Sequence, residues 1–319
     1  MAATPDETLA AERERATKAG TWAIVAALLT LASSIVVLIA VRDFPVVRLL
    51  DTLRSSLGQG PQDGPGPVAR GLLYFNDHLP VFAAFQLLPA LAAAALGVTL
   101  IFLYRSTVAR APQVGKIPLI AAVAGSVLLV VSALVATVSL TLDVREFADA
   151  ANQSEQAARD VFASPVRDAG NYLSVLGRLA IVIAIVTSSL NAMRIGLLTR
   201  FMGVLGIIVG VLFIIPQLEG QIPFVKIVWL FGLALLFLHR WPKAMPPAWV
   251  TGEAQPWPTQ QEIRESRMAA QAERGGATLD EKVRRPRRER AEPPETPAPE
   301  PPRATKPHSS SKKKKRKRR

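Results

Sequence analysis

Between residues 117 and 142 the chain runs for 26 positions without one charged side chain, and most of those positions are aliphatic. An α-helix rises 1.5 Å per residue, so about 20 apolar residues cross the roughly 30 Å hydrocarbon core of a bilayer. Two further uncharged runs, 22–41 and 79–104, meet the same length requirement. Residues 173–215 are apolar for about twice that depth but are interrupted by Asn191, Arg194 and Arg200, which reads as two helices, 173–193 and 197–215, joined by a basic turn. Pro216, Glu219 and Gly220 mark the next turn, and 222–239 makes a sixth span with Lys226 inside it. The expected fold class is an all-α polytopic membrane bundle of six transmembrane helices. The first span is preceded by a mixed acidic and basic leader and ends in Val41-Arg42-Asp43-Phe44, without a small-x-small cleavage site, so it reads as a retained signal anchor.

Charge sets the expected orientation. The connections 105–116 and 194–200 carry five Lys and Arg and no acid, whereas 42–78, 143–172 and 216–221 carry seven Lys and Arg with eleven acids. Short, purely basic connections stay on the cytoplasmic side. Both termini are therefore expected in the cytoplasm of a bacterial plasma (inner) membrane. The net charge of +13 is concentrated beyond the last span, where residues 240–319 hold 21 Lys and Arg against 10 Asp and Glu. That places the basicity in an appendage and argues against a sequence-specific DNA-binding fold.

The expected organisation is a cytoplasmic segment 1–21, the transmembrane domain 22–239, a Trp/Pro-rich juxtamembrane collar 240–258, a short helix 259–275 opened by the capping-box pattern Thr259-Gln260-Gln261-Glu262, and a disordered polybasic tail 276–319. Trp22 at the first span, with Trp241, Trp249 and Trp257 in the collar, are expected to anchor at the headgroup level. The terminal run Lys312, Lys313, Lys314, Lys315, Arg316, Lys317, Arg318 and Arg319 suits anionic lipid headgroups, with RNA or the ribosome as the rival partner. Val41-Arg42-Asp43-Phe44 and Val144-Arg145-Glu146-Phe147 resemble each other, and each opens a long connection with apolar residues at helical spacing, either from a duplication or from two similar interfacial ends. Those connections are expected to lie on the outer leaflet or to cap the bundle.

Ionisable residues within spans are expensive and are functional candidates by default. Arg178 and Lys226 lie one to one and a half turns inside the outer ends of their spans. Either they snorkel to the interface, or they line an outward-facing pocket for an anion, to which Gln86 could add a polar contact. Gly203, Gly206 and Gly210 allow close helix packing, within the bundle or in a homo-oligomer. With no Cys, no paired His and no GxSxG, HExxH or phosphate-loop pattern, no cofactor, metal or catalytic residue is expected. The expected function is a non-enzymatic membrane scaffold acting through its basic tail; the alternative is a small-solute transporter or channel, and a membrane enzyme comes third.

The run 194–212, followed by Arg240-Trp241-Pro242, Pro247-Ala248-Trp249, Thr251-Gly252-Glu253-Ala254 and Pro256-Trp257-Pro258, resembles the end of a group of uncharacterised multi-pass membrane proteins of actinobacteria. The resemblance covers the last two spans and the collar. It implies a plasma-membrane location and brings no assigned activity.

Overall fold

The computed structural model describes residues 5–42, 44, 57, 66–214, 223–242, 244–257, 261–262 and 264–270. The expected polybasic tail, the turn containing Glu219 and the apolar pattern of Val46, Val47, Leu50 and Leu53 lie outside the described residues. The described residues are all-α, with no strand among them. The chain divides into two units, 1–257 and 258–319. In the second, residues 261–262 and 264–270 are helical and fall inside the expected short helix.

In the first unit the helices are α1 (Pro5–Arg42), α2 (Pro67–Asp77), α3 (Leu79–Arg110), α4 (Ile117–Asp149), α5 (Glu155–Asp160), α6 (Pro165–Arg194), α7 (Arg200–Ile214), α8 (Pro223–Phe237) and α9 (Pro247–Thr251). Four stretches are long and apolar enough to cross a membrane: Glu12–Ala40, Leu79–Arg110, Ile117–Asp149 and Pro165–Arg194. α7 and α8 are apolar and cover 15 described residues each, about 22 Å of rise; residues 215–222 between them lie outside the described residues. Within the two expected spans, 197–199 and 238–239 are not helical.

Small residues let the long helices approach closely. A Cβ on Gly125 of α4 would lie 2.8 Å from the backbone nitrogen of Ile181 and 3.0 Å from the carbonyl oxygen of Gly177, both on α6. On α7, a Cβ on Gly203 would sit 2.8 Å from Met193 Cβ, one on Gly210 2.8 Å from Val186 Cγ2, and one on Gly206 against Ser189 Oγ and 2.8 Å from Trp229 Nε1. All three glycines therefore pack within the chain, against α6 and α8. Following the contacts, α1 packs on α3, α3 on α4, α4 on α6, α6 on α7, α7 on α8 and α8 back on α1, which closes a ring of six helices. The outward side chains of that ring are oily: Leu28, Leu38, Ile120, Val138 and Phe231 are all exposed.

Helices run past the limits of the oily runs: α1 begins at Pro5 and passes through the expected segment 1–21 into the first span without a break. Its Ala-, Glu- and Arg-rich composition favours helix, and Gly20 continues the helix because Leu238 of the neighbouring segment lies where its Cβ would be. The other long helices also overrun their predicted spans, α3 to Arg110, α4 to Asp149 and α6 back to Pro165, since polar helix ends extend beyond the oily run. Pro89 sits inside α3 without ending it.

At the Arg42 end of the bundle the described parts of the connections pack together. Leu72 and Ala69 of α2, Val144 and Phe147 of α4 and Ala158 of α5 form a small buried cluster. The Glu155 carboxylate accepts bonds from the backbone of Val68 (3.1 Å) and Ala69 (3.4 Å) at the N-terminus of α2. Unpaired helix N–H groups and the helix dipole both favour an anion there. Phe44 meets Tyr74 and Phe75 of the same helix, each at 5.6 Å between ring centroids. The phenylalanines of the two similar motifs therefore both pack around α2.

Candidate functional site

Every one of the six helices of the ring contributes to an open cavity of about 370 Å³. α1 supplies Thr30, Ser33, Ser34 and Val37; α3 supplies Phe85, Gln86, Pro89, Ala90 and Ala92. α4 gives an almost wholly apolar strip, and α6 gives Asn171, Ser174 and Arg178. Phe213 of α7 and Lys226 of α8 complete the lining. The three residues singled out in the sequence as candidates for a polar pocket, Arg178, Lys226 and Gln86, all lie in this one wall.

Depth follows from helix rise. Arg178 lies 16 residues before Arg194 and 13 after Pro165, or about 24 Å and 20 Å from the ends of α6. Ser33 is nine residues before Arg42, about 14 Å, and Gln86 seven after Leu79, about 10 Å. The cavity is thus embedded in the half of the bundle nearer the Arg42 end.

Two of the described lining residues are cationic, and none of them is Asp or Glu. Both cationic side chains are half-buried. Arg178 Nε faces Ser174 Oγ at 3.5 Å, and Lys226 Nζ sits 5.1 Å from the centre of the Phe213 ring. At an effective dielectric constant near 20, a unit anion 4 Å from one such charge gains roughly 4 kcal/mol before desolvation. The α1 hydroxyls already serve the helix in part: Thr30 Oγ1 donates to Ala26 O at 2.8 Å and Ser34 Oγ to Thr30 O at 3.0 Å. Pro89 has no N–H to offer the Phe85 carbonyl one turn earlier, and both residues line the cavity.

The opposite end of the bundle is closed, and here the sequence misled about the tryptophans. The turn after α6 leaves four successive carbonyls that neither helix satisfies. Ile195 O accepts from Gln255 N (3.0 Å), Gly196 O from Ala248 N (3.4 Å), Leu197 O from Trp249 Nε1 (2.8 Å) and Leu198 O from Trp257 Nε1 (2.8 Å). Gly196 has φ +77°, and a Cβ there would collide with Gln255 O, so the turn requires glycine. Trp249 is 4 % exposed and packs with Phe102 and Phe237. It belongs to the core, on the short helix α9. Trp249 and Trp257 plug the bundle end rather than anchoring it in headgroups, because an indole N–H satisfies a turn carbonyl in each case. Trp241 is partly buried against the same core, and Trp22 is 44 % exposed on α1.

The plug is pinned by an ion pair between residues far apart in the chain. Arg110 at the end of α3 meets Glu12 of α1 in a two-pronged ion pair, Nη1 to Oε1 at 2.6 Å and Nη2 to Oε2 at 2.7 Å. Arg110 Nε also donates to Ala248 O (3.0 Å), and its guanidinium lies 5.4 Å from the Trp249 ring centre. Side-chain exposure is 0 % for Arg110 and 11 % for Glu12. A basic residue in a supposed cytoplasmic connection and an acid in a supposed leader carried no local signal; only the unbroken α1 brings them together.

Among the described residues no cluster of three His, Cys, Asp or Glu could hold a metal ion. No family model, curated protein or solved structure matches the chain, so its functional reading rests on this geometry.

Proposed function

We propose that the chain is a six-span plasma-membrane protein of bacterial type, with both termini in the cytoplasm, whose central cavity binds a small anionic solute for transport. α7 and α8 are taken as the fifth and sixth spans, within the apolar runs 197–215 and 222–239. The observation that carries the reading is the convergence of Arg178 and Lys226 on one cavity lined by all six helices, with no acid among its described lining residues. In the proposed orientation the cavity lies in the outer half of the membrane and the Trp249 plug closes the inner end, an arrangement suited to a carrier in a state closed on the cytoplasmic side. The competing scaffold reading draws on the tail, which lies outside the described residues.

The test is thermal unfolding of the purified full chain in lipid nanodiscs, titrated with organic anions and with organic cations of matched size. Anions raise the midpoint of the wild-type protein and leave that of the Arg178→Gln, Lys226→Gln double variant unchanged. Equal response to anions and cations, or an unchanged anion response in the double variant, contradicts the reading.

A further inference from the structure

The cavity is larger than a bare inorganic anion needs, and its α4 wall is apolar although Thr30, Ser33 and Ser34 of α1 and Gln86 of α3 are polar. The cations stand on α6 and α8, together with Asn171 and Ser174, whereas the α4 wall presents Leu129, Ala133 and Ala136 with the single hydroxyl of Ser132. That hydroxyl is already committed, donating to Gly170 O at 2.9 Å. Phe85 and Pro89 of α3 add to the apolar side. Water held against such a wall lacks hydrogen-bond partners, and an apolar group that displaces it gains free energy. A chloride or a free phosphate would leave that wall wet. From this division, and resting on the anion-binding reading above, we infer that the cavity takes an anionic amphiphile, an alkyl phosphate or its equivalent. Its acidic head faces Arg178 and Lys226, and its hydrocarbon body lies along Phe85, Pro89, Leu129, Ala133 and Ala136.

The two parts of the ligand make separable contributions. The head supplies charge complementarity, which neutralising the cations removes. The body supplies a gain of about fourfold in affinity for each methylene buried, which filling the apolar side removes. Ala136→Phe does the latter while leaving both cations in place.

The experiment uses the full chain in nanodiscs, with thermal unfolding followed against inorganic phosphate, butyl, octyl and dodecyl phosphate, and dodecanol. The expected result is stabilisation that grows with chain length for the alkyl phosphates, is absent for inorganic phosphate and dodecanol, and disappears in the Arg178→Gln, Lys226→Gln variant. Ala136→Phe should lose the chain-length dependence, and its unliganded midpoint reports whether the fold is intact. Inorganic phosphate acting as well as octyl phosphate, in a manner that needs Arg178 and Lys226, overturns the amphiphile and leaves the anion reading standing. Dodecanol acting as well as dodecyl phosphate also overturns it. If no phosphate of any chain length separates the wild type from the double variant, both inferences fall.

Discussion

Replacing Glu12 by Gln tests the closed end of the bundle most sharply. The substitution keeps the shape of the side chain and removes its charge, leaving the fully buried Arg110 guanidinium without its counter-ion. Breaking one side of a buried pair costs about 3–5 kcal/mol. Arg110 keeps its bonds to Ala248 O and Ser106 O, so the lower end, about 3 kcal/mol, is expected. On the scaling of soluble domains this corresponds to a fall in midpoint on the order of 10 °C. Glu12→Leu combined with Arg110→Met removes both charges and should cost less than Glu12→Gln alone, since an apolar pair of similar volume avoids the desolvation penalty. Thermal unfolding of the three proteins in nanodiscs gives the comparison. A Glu12→Gln midpoint within measurement error of the wild type, or a double variant less stable than the single, refutes the argument that this pair is buried and shields the plug.

Trp249→Phe retains a ring in the core but strands the Leu197 carbonyl, so a loss of about 1–2 kcal/mol is expected; Trp257→Phe, at a half-buried site, should lose less in the same unfolding assay. Gly206→Val drives a side chain into Ser189 and Trp229 and should lower stability by about 3 kcal/mol or more, whereas Gly115→Ala, with nothing within 4 Å of its Cβ, should be neutral. Deleting residues 277–319 removes the eight terminal Lys and Arg and should abolish co-sedimentation of the protein's nanodiscs with anionic vesicles, at roughly 1 kcal/mol per basic residue, while leaving anion stabilisation of the bundle intact. Loss of that stabilisation on deletion would return the function to the tail.

How far the sequence reaches is instructive. The oily runs at 22–41, 79–104 and 117–142 are legible because hydrocarbon imposes a length, and each lies within a helix of the structure. Arg178, Lys226 and Gln86 were legible as candidates because polarity inside a span is costly, although spacing could not say that three different helices would turn them toward one space. The serines and threonine of α1 were not legible, since a hydroxyl in a membrane helix is so often bonded to its own backbone. The tryptophans misled for a related reason. Indole amphipathicity favours headgroups, but it equally suits a buried ring whose N–H meets a stranded carbonyl, and only the geometry of residues 195–198 decides between them. Glu12 and Arg110 stand 98 positions apart, and pairing at that separation follows from helix length and ring closure, neither of which a local pattern encodes.

The central claim is that a solvent-reachable, positively charged cavity lies inside the bundle. Because the chain has no cysteine, Ser33→Cys introduces a unique thiol on the α1 wall, on a helix that carries neither cation. The rate of its modification in intact cells should be compared for two membrane-impermeant methanethiosulfonates, one carrying a sulfonate and one a trimethylammonium group. The account predicts modification from outside, faster for the sulfonate by about tenfold, with the preference lost when Arg178 and Lys226 are both changed to Gln. A thiol that neither reagent reaches, or one that the cationic reagent modifies faster, contradicts it.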